Sequence, residues 1–185
     1  MELKQVIERG ETQTVEFKQS MSQMKEGCKA LCGMLNADQG AGTVLFGISP
    51  SSDVVGLQHA NLDSVQRTLA QHIQQKFEPS LTCSIEMLDC DGEEIIVLSA
   101  QRPKNIPYFE YDGRAFIKEG STKRQLSLQE KQSLLLRRDR AKHNGPWKCD
   151  RCGSWVGILS SIVVTDEGPK KSYDCQCGGE FWPAT

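Results

Sequence analysis

Two groups of side chains in this sequence could do chemistry, a carboxylate pair near the N-terminus and four cysteines near the C-terminus. The carboxylates are Glu11 and Glu16, in the segment ETQTVEFK. Alternation in this segment predicts a strand with Val15 and Phe17 on one face, and Glu16 and Lys18 on the other. Glu11 lies in the preceding turn, close enough to share a ligand with Glu16 if the chain reverses between them. Clustered carboxylate oxygens suit Mg²⁺ or Mn²⁺, which can activate water against a phosphodiester.

The same residues also admit a purely structural interpretation. Glu11 would then cap a turn, while Glu16 and Lys18 would form a solvated strand face. In the catalytic interpretation Lys18 pairs with either carboxylate or with the scissile phosphate. Two carboxylates bind Mg²⁺ weakly unless a substrate phosphate completes the coordination shell.

The second group is a set of cysteines with metal-ligand spacing. Of eight cysteines in the chain, four form a Cys-x-x-Cys pair and a Cys-x-Cys pair, each followed by glycine: Cys149, Cys152, Cys175 and Cys177. The segment between the pairs predicts a β-hairpin with its turn at residues 166–169. Four thiolates at the open end of a hairpin can hold a tetrahedral zinc, and such a closed site is structural. The alternative is a redox Cys-x-x-Cys pair with incidental thiols. Cys28 and Cys32, four residues apart on one helical face, are predicted to be core thiols.

The remaining patterns predict a mixed α/β order, of the α+β class. A short helix ends at Gly10, a helix covers about residues 22–36, and a continuous apolar run at 43–48 predicts a buried strand. A further helix (62–77), a β-hairpin turning at Asp91-Gly92, a strand at 114–118 and a helix capped by Ser127 follow. We expect a first domain at residues 1–142, a linker at 143–146 and a zinc-bound hairpin at 147–185.

Charge gives no global attraction to nucleic acid or membrane, because 22 basic and 24 acidic residues leave a net charge of −2. Local basic segments are the candidates for phosphate contact. They are Lys118, Lys123 and Arg124, and in the last helix Arg137, Arg138, Arg140 and Lys142. A solvated basic helix face explains the second set equally well. With no apolar run long enough to span a bilayer and no secretory signal, we expect a cytoplasmic protein without membrane contact.

An ordered set of motifs is more specific than any single segment. It comprises ETQTVEFK (11–18), Leu35-Asn36 with Gly40 and Gly42, VLFGI (44–48), VGL (55–57) and FIKEGS (116–121). Together these motifs resemble the Schlafen AlbA_2 domain over about residues 2–138. The resemblance implies a compact α/β domain that handles nucleic acid. In the Schlafen branch, two such lobes form a basic cradle in which carboxylates cleave transfer or ribosomal RNA with a divalent metal.

The catalytic pattern implied by the resemblance is matched in part. Its two glutamates correspond to Glu11 and Glu16, whereas Ser49 and Pro50 stand where the third acid is expected. Asp53 is the nearest substitute. The leading hypothesis is therefore a divalent-metal-dependent endoribonuclease of structured RNA such as tRNA, with Glu11, Glu16, Asp53 and Lys18 in its site.

Two other hypotheses remain open at this point. One is a non-catalytic nucleic-acid-binding module of the same fold, stabilised by structural zinc. The other is a protein-interaction adaptor that uses the zinc hairpin. Since the family's cradle takes two lobes, a homodimer would complete it.

Overall fold

The computed structural model describes residues 3–57, 61–120, 122–142, 147–149, 158–165, 168–174 and 181–183. The chain divides into two compact units, Met1–Gln132 and Ser133–Thr185. The helices are α1 (Leu3–Arg9), α2 (Met24–Asn36, preceded by a 3-10 turn at Met21–Gln23), α3 (Leu62–Lys76) and α4 (Leu128–Lys142). The strands of the first unit are β1 (Val15–Lys18), β2 (Ala41–Phe46), β3 (Phe77–Glu78), β4 (Cys83–Cys90), β5 (Glu93–Gln101), β6 (Glu110–Tyr111), β7 (Phe116–Glu119) and β8 (Thr122–Gln125).

The first unit is built on a four-stranded sheet in the order β1-β2-β5-β4. β1 pairs parallel to β2, and the other pairs are antiparallel. Side chains of β2 alternate between two cores: Val44 and Phe46 pack with α2 and α3, and Leu45 packs with α1 on the opposite face. Burial on both faces explains the apolar run and confirms the predicted buried strand.

Several predicted elements are confirmed in the first unit. The hairpin β4–β5 turns at Asp91 and Gly92, whose φ values of 56° and 85° suit a two-residue turn. Ser127 caps α4, because its hydroxyl accepts from the Glu130 N–H at 3.2 Å. The Glu130 carboxylate accepts from the Ser127 N–H at 2.8 Å in return, which completes a capping box. Cys28 and Cys32 are fully buried in the core beneath the sheet.

Strand β8 is one of the elements that the sequence patterns miss, together with the two-residue strands β3 and β6. Its residues, TKRQ, include no apolar side chain, so no period-two pattern marks it. It is held by antiparallel pairing with β7, in which Lys118 lies opposite Lys123. The tertiary structure therefore reveals this hairpin, which the local sequence of β8 does not predict.

Helix α2 approaches the backbone of β7 closely at Gly33. A Cβ added to Gly33 would lie 3.0 Å from the Lys118 nitrogen and 3.2 Å from the Ile117 carbonyl carbon, closer than ordinary contact. The missing side chain lets β7 pack directly against the helix. This contact sets the position of Lys118 relative to the sheet.

Asn36, the last residue of α2, ties the helix to the same region. It is 3% exposed. Its amide nitrogen donates to the carbonyls of Phe109 and Phe116 at 2.8 Å each, and its oxygen accepts from the Phe109 N–H at 2.7 Å. All three bonds satisfy backbone groups that burial would otherwise leave unpaired.

The second unit contains β9 (Trp147–Cys149), β10 (Ile158–Thr165), β11 (Gly168–Asp174) and β12 (Phe181–Pro183). β10 pairs antiparallel with β11, as the predicted hairpin requires, and β9 pairs with β12. The predicted linker, the hairpin turn at 166–167 and the cysteines Cys152, Cys175 and Cys177 lie outside the described residues. The domain limits and the zinc site remain predictions. Of the helices that the structure describes, none combines the length and apolar character needed to cross a bilayer.

Replacing Asn36 by alanine should destabilise the first unit by roughly 3 to 5 kcal/mol, because three hydrogen bonds to buried backbone groups are lost together. The free energy of unfolding from urea titration measures this change. Gln75→Ala, at an exposed position of α3, serves as the control and should change stability by less than about 0.5 kcal/mol. Equal stability of the two variants would contradict the stabilising role of the three Asn36 hydrogen bonds.

Candidate functional site

Glu16 lies on the face of β1 that the β7–β8 hairpin covers, and it is 5% exposed. Three ammonium groups contact its carboxylate. Lys118 donates to Oε2 at 2.7 Å, and Lys18 and Lys123 each donate to Oε1 at 2.8 Å. We call these four residues the Glu16 cluster. The predicted alternation of β1 is thus confirmed, but the solvated face of the structural interpretation is wrong, because β7 and β8 bury it.

The three lysines differ in how many of their three ammonium N–H groups donate to acceptors in the protein. Lys118, 1% exposed, also donates to the carbonyls of Thr12 and Val15 at 2.9 and 3.1 Å, so all three of its N–H bonds are used. Lys18 donates to the Phe17 carbonyl at 2.7 Å as well as to Glu16 and retains one. Lys123 retains two. The side chains of Lys18 and Lys123 are 11% and 21% exposed, so these two can reach a ligand.

Electrostatics favour the ionised form of Glu16. Burial by itself would raise the pKa of this carboxyl, but the hydrogen bonds from Lys118, Lys123 and Lys18 outweigh burial and lower the pKa from 4.5 to about 2. One carboxylate then faces three ammonium groups, so the cluster carries an excess of two positive charges. An excess of positive charge of this kind can attract an anion.

Glu11 occupies the turn before β1. Its Oε1 accepts from the Phe17 N–H at 2.9 Å, which places the Glu11 carboxylate against the peptide that follows Glu16. This is the turn-capping bond that the structural interpretation predicts for Glu11. Gln13, in the same turn, bonds to the Lys118 carbonyl and accepts from the Gly120 N–H, which joins the turn to the β7–β8 hairpin.

Asp53 is exposed and lies in a serine-rich loop. Its Oδ2 accepts from the hydroxyls of Ser51 and Ser49 at 2.7 and 3.1 Å, and these hydrogen bonds lower its pKa. The loop lies beside the Glu11 turn, since a Cβ added to Gly10 would stand 3.7 Å from the Ser52 hydroxyl. Within the part of the chain that the structure describes, no group of three His, Cys, Asp or Glu side chains is placed to hold a metal ion.

The predicted phosphate-contacting residues fall into four classes. Lys118 is buried with its ammonium fully engaged, which corrects the expectation that it lies on the surface. Arg124 is exposed but forms ion pairs with Glu119 and Glu130 at 2.7 Å, and the hydrogen bonds that it donates to Glu130 and Glu119 raise its pKa. Lys123 remains available. The others lie on α4, where their side chains are outside the described residues: Arg137, Arg138, Arg140 and Lys142.

Sequence reasoning missed the pairing of Glu16 with Lys118. A usable signal exists in the strand FIKE, because alternation puts Lys118 on the same face as Phe116. Phe116 is buried, and its face carries Lys118 into the protein. A lysine on the same strand face as core residues is buried with them, and it then needs a buried partner of opposite charge.

Comparison with known proteins identifies the first unit. The family model for the Schlafen AlbA_2 domain matches residues 11–127. The chain belongs to this family. The AlbA_2 family is associated with nucleic acids, and membership supports a nucleic-acid-related role for this protein. A search of curated proteins found no match.

Two solved structures are similar to this AlbA_2 protein. One is the DIP2311 protein from Corynebacterium diphtheriae, with 12% identity and a TM-score of 0.50 over 83% of this chain. The chain spans only 26% of the length of that protein, and the likeness shows the fold alone. The other is the N-terminal domain of a RecG-related protein from Nitrosomonas europaea, with 22% identity and a TM-score of 0.44. The match covers 64% of this chain and 86% of that domain.

The Glu16 cluster should make stability depend on acid pH. Because the folded pKa of Glu16 is about 2 and its ordinary value is 4.5, its contribution of roughly 3 kcal/mol is present above pH 4.5 and is lost as the pH falls through 2. Glu16→Gln should therefore be much less stable than wild type at pH 7, with a smaller difference near pH 2. Urea unfolding across this range measures the effect.

Glu94→Gln, at an exposed position of β5, is the matched control and should follow the wild-type pH profile. A constant difference between Glu16→Gln and wild type at all pH values would show that the carboxylate charge is not what the lysines stabilise.

Proposed function

We propose that this AlbA_2 protein binds the sugar-phosphate backbone of nucleic acid at the Glu16 cluster. The observation that carries the proposal is the composition of the cluster, three ammonium groups around one carboxylate, two of them with N–H bonds to spare. Family membership supports nucleic acid as the class of ligand.

A phosphate diester is chemically suited to this cluster. An uncompensated positive charge at a half-buried site is unfavourable, and an anion that accepts hydrogen bonds relieves it. Lys18 and Lys123 are the lysines that are partly exposed, so a phosphate oxygen reaches the cluster from their side. Contacts of this kind position a nucleic acid without reading its sequence.

Lys123→Ala should weaken binding to tRNA by about fivefold and reduce the steepness of its salt dependence by about one phosphate contact. Fluorescence anisotropy with labelled tRNA over a series of salt concentrations measures both quantities. Lys104→Ala removes an exposed lysine outside the cluster and should bind as wild type. If wild type fails to bind tRNA or single-stranded nucleic acid at low salt, or if both variants bind equally, the proposal is overturned.

A second candidate is the metal-dependent endoribonuclease. The observation that favours it is the adjacency of the three segments that carry the predicted acids, the Glu11 turn, β1 and the Asp53 loop. A divalent cation held by Glu11 and Glu16 would supply water activation at the scissile phosphate. In this proposal the bound phosphate draws Lys18 and Lys123 away from Glu16 and frees its Oε1 for the cation.

Cleavage of tRNA with Mn²⁺, with Mg²⁺ and with EDTA distinguishes the two functions. A nuclease should cleave only with metal, and Glu11→Gln should reduce cleavage by at least about a hundredfold, the scale expected for loss of a metal ligand. Glu94→Gln should cleave as wild type. Binding without cleavage under any metal condition leaves the backbone-binding function and removes the enzymatic one.

For the second unit we propose a structural zinc held by Cys149, Cys152, Cys175 and Cys177. Two antiparallel pairings, Phe181 with Cys149 and Ile158 with Asp174, form the backbone next to the cysteine pairs. Elemental analysis of the purified protein should find one zinc per chain, and Cys175→Ser/Cys177→Ser should lose it. Cys83→Ser, in the first unit, should retain it. Absence of zinc from wild-type protein would contradict this site.

The homodimer and the protein-interaction adaptor role also stay predictions.

A further inference from the structure

A polar cleft lies in the first unit at the end of β1, where the Glu16 cluster ends. Its volume is about 570 Å³, within the range of ligand-binding pockets. Its walls come from the segment that follows β1 and from the segment before α3. The lining residues are Gln19, Ser20, Ser22, Gln23, Val55 and Gly56.

Backbone hydrogen bonds of Gly47 join the two walls of the cleft next to the backbone of Lys18. The Gly47 N–H donates to the Lys18 carbonyl at 2.7 Å, and the Gly47 carbonyl accepts from the N–H groups of Val55 and Gly56 at 2.9 and 3.0 Å. Gly47 has a φ of +102°, and a Cβ there would lie 3.0 Å from Ile95. Glycine is needed at this junction. The cleft therefore borders the backbone of Lys18, the residue whose ammonium contacts Glu16.

The lining of the cleft is polar but carries no charged side chain among the described residues. The Gln23 oxygen accepts from the Gln19 N–H at 2.9 Å, and the hydroxyls of Ser20 and Ser22 lie 2.7 Å apart. These bonds hold the wall in place, and no bond to another described residue uses the Gln23 amide nitrogen or the Gln19 side-chain amide. Amides offer a donor and an acceptor together, and Val55 adds an apolar surface.

This chemistry fits a nucleobase better than a phosphate. A base is flat and uncharged, and its edge presents donors and acceptors that a glutamine amide can meet as a pair. A phosphate is strongly charged and is drawn instead to the neighbouring lysines. A base and its phosphate are joined through a single sugar, so a nucleotide with its base in the cleft would hold its phosphate on the side of Lys18.

We propose that the cleft receives an unpaired nucleobase whose own phosphate lies on Lys18 and Lys123. The inference rests on the proposed backbone binding and adds a substrate class to it, single-stranded nucleic acid. A duplex satisfies its base edges internally, so its bases do not enter the cleft. Recognition by amides gives a preference among bases in addition to the sequence-independent phosphate contact.

The test compares a short single strand of adenosines, the same strand with abasic sugars, and a duplex of equal length. Anisotropy titrations should show wild type binding the adenosine strand about tenfold more tightly than the abasic strand. Gln19→Ala should lose about fivefold for the adenosine strand and nothing for the abasic strand. Gln75→Ala, on the exposed surface of α3, should match wild type with all three probes.

The results separate the cleft from the backbone site. Equal affinity of wild type for the adenosine and abasic strands overturns base binding and leaves backbone binding intact. Failure of wild type to bind any of the three probes at low salt overturns backbone binding as well. A Gln19→Ala variant that weakens both single strands equally also contradicts the cleft, since a base-specific contact cannot act on a strand without bases.

Discussion

The first unit depends on how the charge of Glu16 is neutralised. A carboxylate that is 5% exposed loses most of its hydration, and that loss is tolerated only if ionic and hydrogen-bonding partners replace the water. The partners come from β1, β7 and β8, so the ion pairs join the N-terminal strand to a hairpin about 100 residues later in the chain. Because a lysine is misplaced if the hairpin shifts, the cluster specifies one arrangement of these elements.

Uncharged contacts hold the same hairpin from the other side. The bare backbone of Gly33 lets β7 reach α2, and the amide of Asn36 satisfies the carbonyls of Phe109 and Phe116. The Gly33 backbone and the hydrogen-bonded Asn36 amide fix the distance of β7 from α2 and the direction of the strand. The position of Lys118 is thereby set by packing as well as by its ion pair with Glu16. Packing and electrostatics support a single geometry here, as expected of a sequence with little frustration.

This construction also accounts for the proposed role in nucleic-acid binding. Glu16 holds Lys18 and Lys123 in place, and their remaining N–H bonds are preorganised for an anion, so less conformational entropy is lost on binding. Lys118 uses all of its donors within the protein and acts as a support. A net charge of −2 over the whole chain is compatible with this role, because affinity for a phosphate is set by the local excess of charge at the site.

The sequence by itself determined the local features of this protein. Alternation defined β1 and its two faces, Asp91-Gly92 defined a hairpin, Ser127 defined a helix start, and the ordered motifs defined the family. Only the tertiary structure decided that both faces of β1 are buried and that Lys118 is a buried partner of Glu16. A period-two pattern states that two faces differ, but burial depends on the element that packs there, and the Glu16 to Lys118 contact spans 102 positions of sequence. No local propensity encodes such a pairing, since it forms only when the β7–β8 hairpin, which lacks an apolar pattern in β8, docks against α2 and β1.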